Sequence, residues 1–391
     1  MQLLPKNRLI VYLINAAMLW FLFLCLLHYF SNRPLWLDEN FILENIHQLK
    51  IPQLFGILKN SQIFPRFYLV LVKLFSQCFS YNALSLRFLP LVFMLLGFTV
   101  WISIYKFESK TNFFLFLLVF SFAGSHFTTY YAAEVKQYSC DLFSAGIYTL
   151  FIYYQRKYIA KEIPVKYLWF FNLFSPLLIL FSYISFLMAW MVAYNYLFFI
   201  KVNREIKVLF IVYCIISISL FALIYLFDIR YSLRVAAVQD YWKDYFINVG
   251  SFYEFSKSLT EGLRNLTVRW FAETKLAKGI ATVFMPFCWL AIFKFFKSSL
   301  EKFRGAILDI NIVCGILLTQ LFVLSVFKLY PFTGARVTLF LAPFIFYMLV
   351  KGIYLARKIK FIFYPVLSVY ILFLCGVSFY LLSGYLKLYA K

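Results

Sequence analysis

Apolar runs of bilayer length recur along almost the whole chain, and short connections rich in lysine and arginine alternate with short connections nearly free of them. A hydrocarbon core about 30 Å thick takes roughly 20 apolar residues in helical form. Lipid offers no partner to an unpaired backbone amide, so such runs must fold as helices. Composition agrees, with 64% hydrophobic and only 14% charged residues, where a soluble domain carries roughly 25% charged. A soluble enzyme and a nucleic-acid-binding protein are excluded. The net charge of +22 lies between the apolar runs rather than along one face, so it reports cytoplasmic connections and anionic headgroups. Seven cysteines fall singly, without a CxxC pair, and suggest neither a disulfide frame nor a zinc site.

The first run, 9–30, follows Lys6 and Arg8 and shows no cleavage site, so it is expected to stay as a span with its basic start inside. Further spans are expected at 84–105, 113–129, 138–154, 167–181, 184–200, 208–227, 280–297, 306–327, 337–355 and 361–385. With the N-terminus inside, the inner connections hold Lys106 and Lys110; Arg156, Lys157, Lys161 and Lys166; Lys201, Arg204 and Lys207; Lys294, Lys297, Lys302 and Arg304; and Arg357, Lys358 and Lys360. That alternation obeys the positive-inside rule. It requires 64–79, which contains Pro65, Arg66, Lys73 and Gln77, to lie at the interface and not cross. The expected fold is therefore all-α: one integral membrane domain, 1–391, a polytopic transmembrane helical bundle of about eleven spans. A first extracytoplasmic loop with interfacial helices, 31–80, and a long extracytoplasmic loop, 228–278, complete it.

Three polar patches fall on the outer side in this topology. The first is Arg33-Pro34-Leu35-Trp36-Leu37-Asp38-Glu39-Asn40. Its two carboxylates suit catalysis, or Asp38 caps a helix over Phe41–Leu49 with Glu39 favouring its dipole. The second runs from Tyr130 to Asp141, where Glu134, Tyr138 and Asp141 recur at helical spacing and share one face if the helix is continuous. Ionisable groups at membrane depth are costly and mark function by default, although Glu134 and Lys136 can also form a plain surface pair. The third, Lys328 to Arg336, is a turn framed by Pro331 and Gly334. An outer cation there wants an anionic partner or snorkels to a headgroup. Lys73 and Arg66 pose the same choice, and Arg66, beside Pro65, is the better ligand contact.

Taken in order, a first span, Leu37-Asp38-Glu39, Pro65-Arg66-Phe67-Tyr68-Leu69, and Leu86-Arg87-Phe88-Leu89-Pro90 opening a span resemble the GT-C superfamily of membrane glycosyltransferases. The likeness is to bacterial relatives of the protein O-mannosyltransferases and to the lipid A aminoarabinose transferase. Family members often carry H-P-P-L-Y-Y where this chain reads Phe64-Pro65-Arg66-Phe67-Tyr68, and Y-x-Q-E-A-R-x-Y where it reads Tyr131 to Tyr138, with Lys136 in place of the arginine. The resemblance implies a GT-C-like bundle in a bacterial inner membrane, its active site on the extracytoplasmic face, and a polyprenyl-phosphate-linked sugar as donor. It implies Asp38 as the catalytic aspartate, Glu134 and Lys136 as the charged pair of the second motif, and Arg336 as a phosphate contact.

The expected chemistry is inverting transfer of a sugar to a hydroxyl or amine of a glycan, lipid or protein. Asp38 takes the acceptor's proton with Glu39 beside it; Lys136, Arg336 and Arg66 stabilise the departing phosphate; Tyr138 and Glu134 contact substrate. Two or three cations can replace a metal at a single phosphate, though Glu39 and Glu134 can also hold Mg²⁺ or Mn²⁺. Two other classes compete: a transporter or flippase, which the absence of a visible internal repeat disfavours, and an O-antigen polymerase or ligase acting through loop arginines 230, 234, 264 and 269.

Overall fold

The computed structural model describes residues 8–109, 111–199, 204–232, 240–271, 274–302, 308–333 and 336–389. Lys6, Lys110, Lys201 and Arg304 of the basic segments, Arg234 and Glu273 of the long loop, and Gly334 of the late turn lie outside these residues. Among the described residues all regular structure is helical. The first half comprises α1 (Arg8–Phe30), the short α2 (Leu37–Gln48) and α3 (Arg66–Gln77), then α4 (Ala83–Glu108), α5 (Asn112–Ala123), α6 (His126–Tyr130), α7 (Tyr138–Ile159), α8 (Lys166–Leu177), α9 (Ile184–Leu197) and α10 (Arg204–Ile224). The second half comprises α11 (Phe252–Val268), α12 (Lys275–Thr282), α13 (Met285–Lys302), α14 (Ile310–Val326), α15 (Ala342–Leu355) and α16 (Lys360–Tyr389).

The chain is a multi-pass membrane protein. Helices occupy all eleven expected positions, yet among the described residues five are long and apolar enough to cross by themselves, or up to seven when each bent pair counts as one span. The helices at 166–180, 184–197 and 310–326 are apolar but short. The expected count of eleven spans is thus not reproduced by length and apolarity. At twelve residues, α3 covers about 18 Å, well short of the hydrocarbon core.

The lining of the bundle explains its layering. The apolar window of Leu339–Lys358 is 78% buried, whereas that of Arg204–Ser232 is 17% buried. A helix apolar all round belongs in the centre or against lipid, and these two take those alternatives. The centre packs tightly enough to need glycine. A methyl group at Gly352 of α15 would sit 1.9 Å from the Phe287 carbonyl oxygen of α13, and one at Gly97 of α4 would sit 2.6 Å from Leu142 of α7. Trp101 of α4 donates to the Leu142 carbonyl at 3.1 Å, locking α4 to α7.

One break matters for the site. The α5–α6 pair bends by 59° at Gly124-Ser125. Breaking a helix frees backbone amides that lipid cannot satisfy. Here the amides of His126 and Phe127 donate to the carbonyls of Phe271 and Trp270, each at 3.3 Å, and the Ser125 hydroxyl donates to Trp270 at 2.8 Å. The 240–271 region therefore plugs the break. It also reaches the late turn, where the Phe332 amide donates to the Tyr245 carbonyl at 3.0 Å and the Ile247 amide to Ser325 Oγ at 2.8 Å. Segments 125–138, 240–271 and 325–333 thus meet at one end of the bundle, and 31–39 joins them where Arg33 donates to the Ala133 carbonyl.

Candidate active site

The neighbours Asp38 and Glu39 have opposite fates. The N-cap of α2 is Trp36, not Asp38 as the sequence suggested. Glu39, on the third helical residue, accepts the Trp36 amide at 3.2 Å, which is one half of a capping box. Its carboxylate also accepts Arg87 Nε at 2.9 Å, Arg87 Nη2 at 2.6 Å, Arg33 Nη1 at 3.1 Å and the Val135 amide at 3.1 Å. Both Glu39 and Arg87 are fully buried. Arg87 further donates to the carbonyls of Arg33 at 2.7 Å and Pro34 at 3.2 Å, and Arg33 to that of Ala133 at 3.2 Å. A buried ion pair costs desolvation, and full hydrogen bonding is what offsets it. Glu39 thereby ties α2, α4 and the 133–135 segment into one piece, with its acceptor sites taken.

Relieved of capping, Asp38 points elsewhere. Arg336 donates to Asp38 Oδ2 at 2.9 Å, and the two side chains are 15% and 21% exposed. Arg336 also donates to the Tyr241 hydroxyl at 2.8 Å. Its guanidinium stands 5.6 Å from the Trp36 ring centre, 5.4 Å from Tyr241 and 5.1 Å from Trp242, within cation–π range. The cation of the late turn has found its anion in Asp38, and headgroup snorkelling is not what holds it.

Glu134 and Lys136 are both buried and are not a surface pair. The helix starts at Tyr138, so Glu134 is presented by extended backbone and does not share a face of α7 with Tyr138 and Asp141. Lys136 Nζ donates to Gln62 Oε1 at 2.8 Å and stands 5.7 Å from the Phe64 ring centre. Burial, then the neighbouring Glu39 carboxylate, pushes the Glu134 carboxyl up to about 8 against the pull of Arg33, Arg336 and Lys136. Burial draws the Lys136 ammonium down to about 8, with Asp38 and Glu134 holding it up and Arg336 adding to the fall. Tyr138 lies in the field of Arg336, Glu134, Asp38 and Asp141. Asp38, Glu134, Lys136, Tyr138 and Arg336 are therefore one cluster.

Arg66 goes to a different one. Its Nε lies 3.6 Å from Asp228 Oδ1, and its amide donates to Asp228 Oδ2 at 3.2 Å. Tyr183 donates to Asp228 at 3.0 Å and Ser232 at 3.0 Å. The helix of α10 continues through a π turn, Tyr225–Ile229, to Ser232, so Asp228 belongs to the helix and not to the following loop. Lys73 is likewise inward, donating to the Ile46 carbonyl. Of the loop arginines, Arg230 donates to Tyr231 at 2.7 Å and Arg269 stands 5.3 Å from the Tyr245 ring centre.

The donor set argues against Glu39 and Glu134 as a cation site. Glu39 is held by two guanidiniums, which repel a divalent ion, and among the described residues no three of His, Cys, Asp and Glu come together. Sequence reading missed Arg87 and Gln62 as parts of the site. A lone arginine inside the apolar run of α4 was the available signal for the first; Gln62 carried none.

No protein-family model matches the chain, and no curated protein matches its sequence. The fold does have a solved counterpart: the crystal structure of ArnT from Cupriavidus metallidurans bound to undecaprenyl phosphate, at a TM-score of 0.54 and 11% identity. The fold is that of ArnT. The likeness covers 98% of this chain and 76% of ArnT, so it embraces the whole bundle, and it bears out the fold that the resemblance read from the sequence implied.

Proposed function

We propose that this chain is an inverting glycosyltransferase that moves a sugar from a polyprenyl-phosphate donor to an acceptor hydroxyl or amine on the extracytoplasmic face of a bacterial inner membrane. The observation that carries the reading is the Asp38–Arg336 ion pair at 2.9 Å, within the field of Lys136, in a fold shared with a protein crystallised with undecaprenyl phosphate. A base and two cations are what such a transfer needs.

The donor phosphate competes with Asp38 for Arg336. As the guanidinium turns to the phosphate, a bidentate geometry that arginine favours, Asp38 loses its partner and becomes a stronger base. The acceptor's nucleophilic atom attacks the anomeric carbon while its proton passes to Asp38. The bond between that carbon and the phosphate oxygen breaks, and its electron pair stays on the oxygen. Lys136 and Arg336 face the charge that grows there, where preorganised cations contribute most. Attack opposite the leaving phosphate inverts the anomeric centre. Glu39 and Arg87 take no part in the bond changes; they hold Asp38 and the Glu134–Lys136 segment in register. Arg66 lies in the Asp228 cluster and has no step in this mechanism.

The test uses purified protein and radiolabelled undecaprenyl-phosphate sugar. Release of undecaprenyl phosphate with Asp38→Asn inactive but still binding donor is the expected result. Movement of intact donor across a vesicle membrane without cleavage would overturn the enzyme reading in favour of transport.

A further inference from the structure

Three polar atoms near the cluster are buried and have no hydrogen-bond partner among the described residues: Tyr68 Oη, Glu134 Oε1 and Gln137 Oε1. Tyr68 is 0% exposed, Glu134 1% and Gln137 8%. Buried polar atoms are nearly always partnered, and one left alone costs about 1–3 kcal/mol. A group of them on facing segments is therefore built to meet something that arrives.

The segments that carry them pack together. Tyr68 packs in one apolar cluster with Phe64, Val135 and Cys140, and its ring centre is 5.5 Å from that of Phe64, over which Lys136 is placed. Tyr68 also lies in the field of Asp141, as Tyr138 does. The first turn of α3 thus packs against the 134–140 segment, whose Lys136 and Tyr138 lie in the field of Asp38 and Arg336. The chemistry of the three atoms is complementary to hydroxyl groups. Two carbonyl-type oxygens accept, and a phenol both donates and accepts. The rings of Tyr131 and Tyr138, edge to face at 5.3 Å, supply an apolar surface for C–H groups.

Resting on the donor reading above, we infer that Tyr68, Gln137 and Glu134 form the subsite that reads the hydroxyl groups of the transferred sugar, and that this sugar is a hydroxyl-rich one. Tyr68 and Gln137 are then specificity residues that do not touch the phosphate.

The experiment measures binding of four probes to the full chain in detergent: bare undecaprenyl phosphate, and its glucosyl, mannosyl and arabinosyl esters. At least one ester should bind more tightly than the bare lipid. Tyr68→Phe and Gln137→Leu should each weaken that ester about five- to tenfold, the value of a buried hydrogen bond, and leave the bare lipid within about twofold. Tyr68→Phe keeps the ring packing, so its melting temperature should hold or rise. Equal loss for bare lipid and ester, no loss for either, or no ester exceeding the bare lipid would each overturn the subsite. A bare lipid that does not bind at all would overturn the donor reading itself, which sets the two failures apart.

Discussion

The two ends of the bundle carry comparable polar equipment and use it differently. At the end away from Asp38, Glu108 accepts from the hydroxyls of Tyr153 and Tyr347, the latter at 2.8 Å. Lys351 donates to Asn311 at 2.8 Å and to Tyr347 at 3.2 Å. Asn195 bridges Gln155 at 2.6 Å and the Leu308 amide at 3.1 Å. Among the described residues both charged groups of that network, Glu108 and Lys351, have partners, and Ser109 Oγ beside it has none. At the Asp38 end the Glu39–Arg87 core is just as complete, but around it unpartnered atoms gather: Arg33 Nε, Trp36 Nε1, Tyr68 Oη, Glu134 Oε1 and Gln137 Oε1. A saturated network fastens helices together. One that stops short of saturation is completed by something that binds, and strained or unsatisfied groups concentrate at functional sites for that reason.

The sharpest way to break this contrast is Asp38→Asn, which preserves shape and removes the base. Turnover should fall about 10²- to 10⁴-fold with the melting temperature held, while Glu108→Gln at the far end leaves turnover unchanged; a rate loss in both would mean that Asp38 acts only structurally. Next in size is Glu39→Gln. It leaves the buried Arg87 and the half-buried Arg33 facing a neutral amide, and stripping one partner from a buried pair costs about 3–5 kcal/mol. Denaturant unfolding in detergent should show that loss, and adding Arg87→Met should recover part of it, because the two side chains act as one unit. Lys351→Met should cost less, about 1–2 kcal/mol, without moving donor affinity. A drop in donor affinity there would erase the distinction between the ends.

How much of this was legible in the sequence follows the range of the interactions involved. The helical segments were readable because hydrophobicity is local: each run declares its own helix whatever surrounds it. Crossing is a separate property, and the short helices at 184–197 and 310–326 show that an apolar run can be helical yet fall short of a full span. Asp38, Glu134, Lys136, Tyr138 and Arg336 were readable as charged or polar groups at the ends of apolar runs. Their grouping was not. Arg336 is 298 positions from the carboxylate it binds, and nothing local names the partner. Glu39 looked like a second catalytic acid for the same reason, since its main partner, Arg87, lies 48 positions on. Arg66 was read as a ligand contact, and its partner Asp228, 162 positions away, sat in what looked like a loop. The span expected from 138 begins where the helix does, yet Glu134 and Asp141 keep helical spacing across the break before it, so their separation went unread.

The smallest expected effect, and the one that tests the electrostatics most directly, is the pH dependence of the Glu134–Lys136 pair. Both side chains titrate near 8 in the folded chain, so the pair shares its protons and the transition belongs to the two together. Glu134 has a folded value raised above its unfolded one, so the folded state holds a proton that the unfolded chain has shed, and stability falls as pH rises from the ordinary carboxyl range to about 8. Lys136 has a folded value lowered below its unfolded one, so above about 8 the unfolded chain binds the extra proton and stability climbs again toward the ordinary lysine range. The net result is a shallow stability minimum near pH 8, from which Glu134→Gln removes the descending limb and Lys136→Met the ascending one. Donor binding follows the same charges. Below that pH the pair is a neutral acid beside a cation, and above it a carboxylate beside a neutral amine. Affinity for bare undecaprenyl phosphate should therefore decline as pH passes through 8. Lys136→Arg keeps its charge throughout, and with it the decline should shrink. An affinity flat across that range in the unaltered chain would remove Lys136 from the phosphate and leave Arg336 to hold it alone.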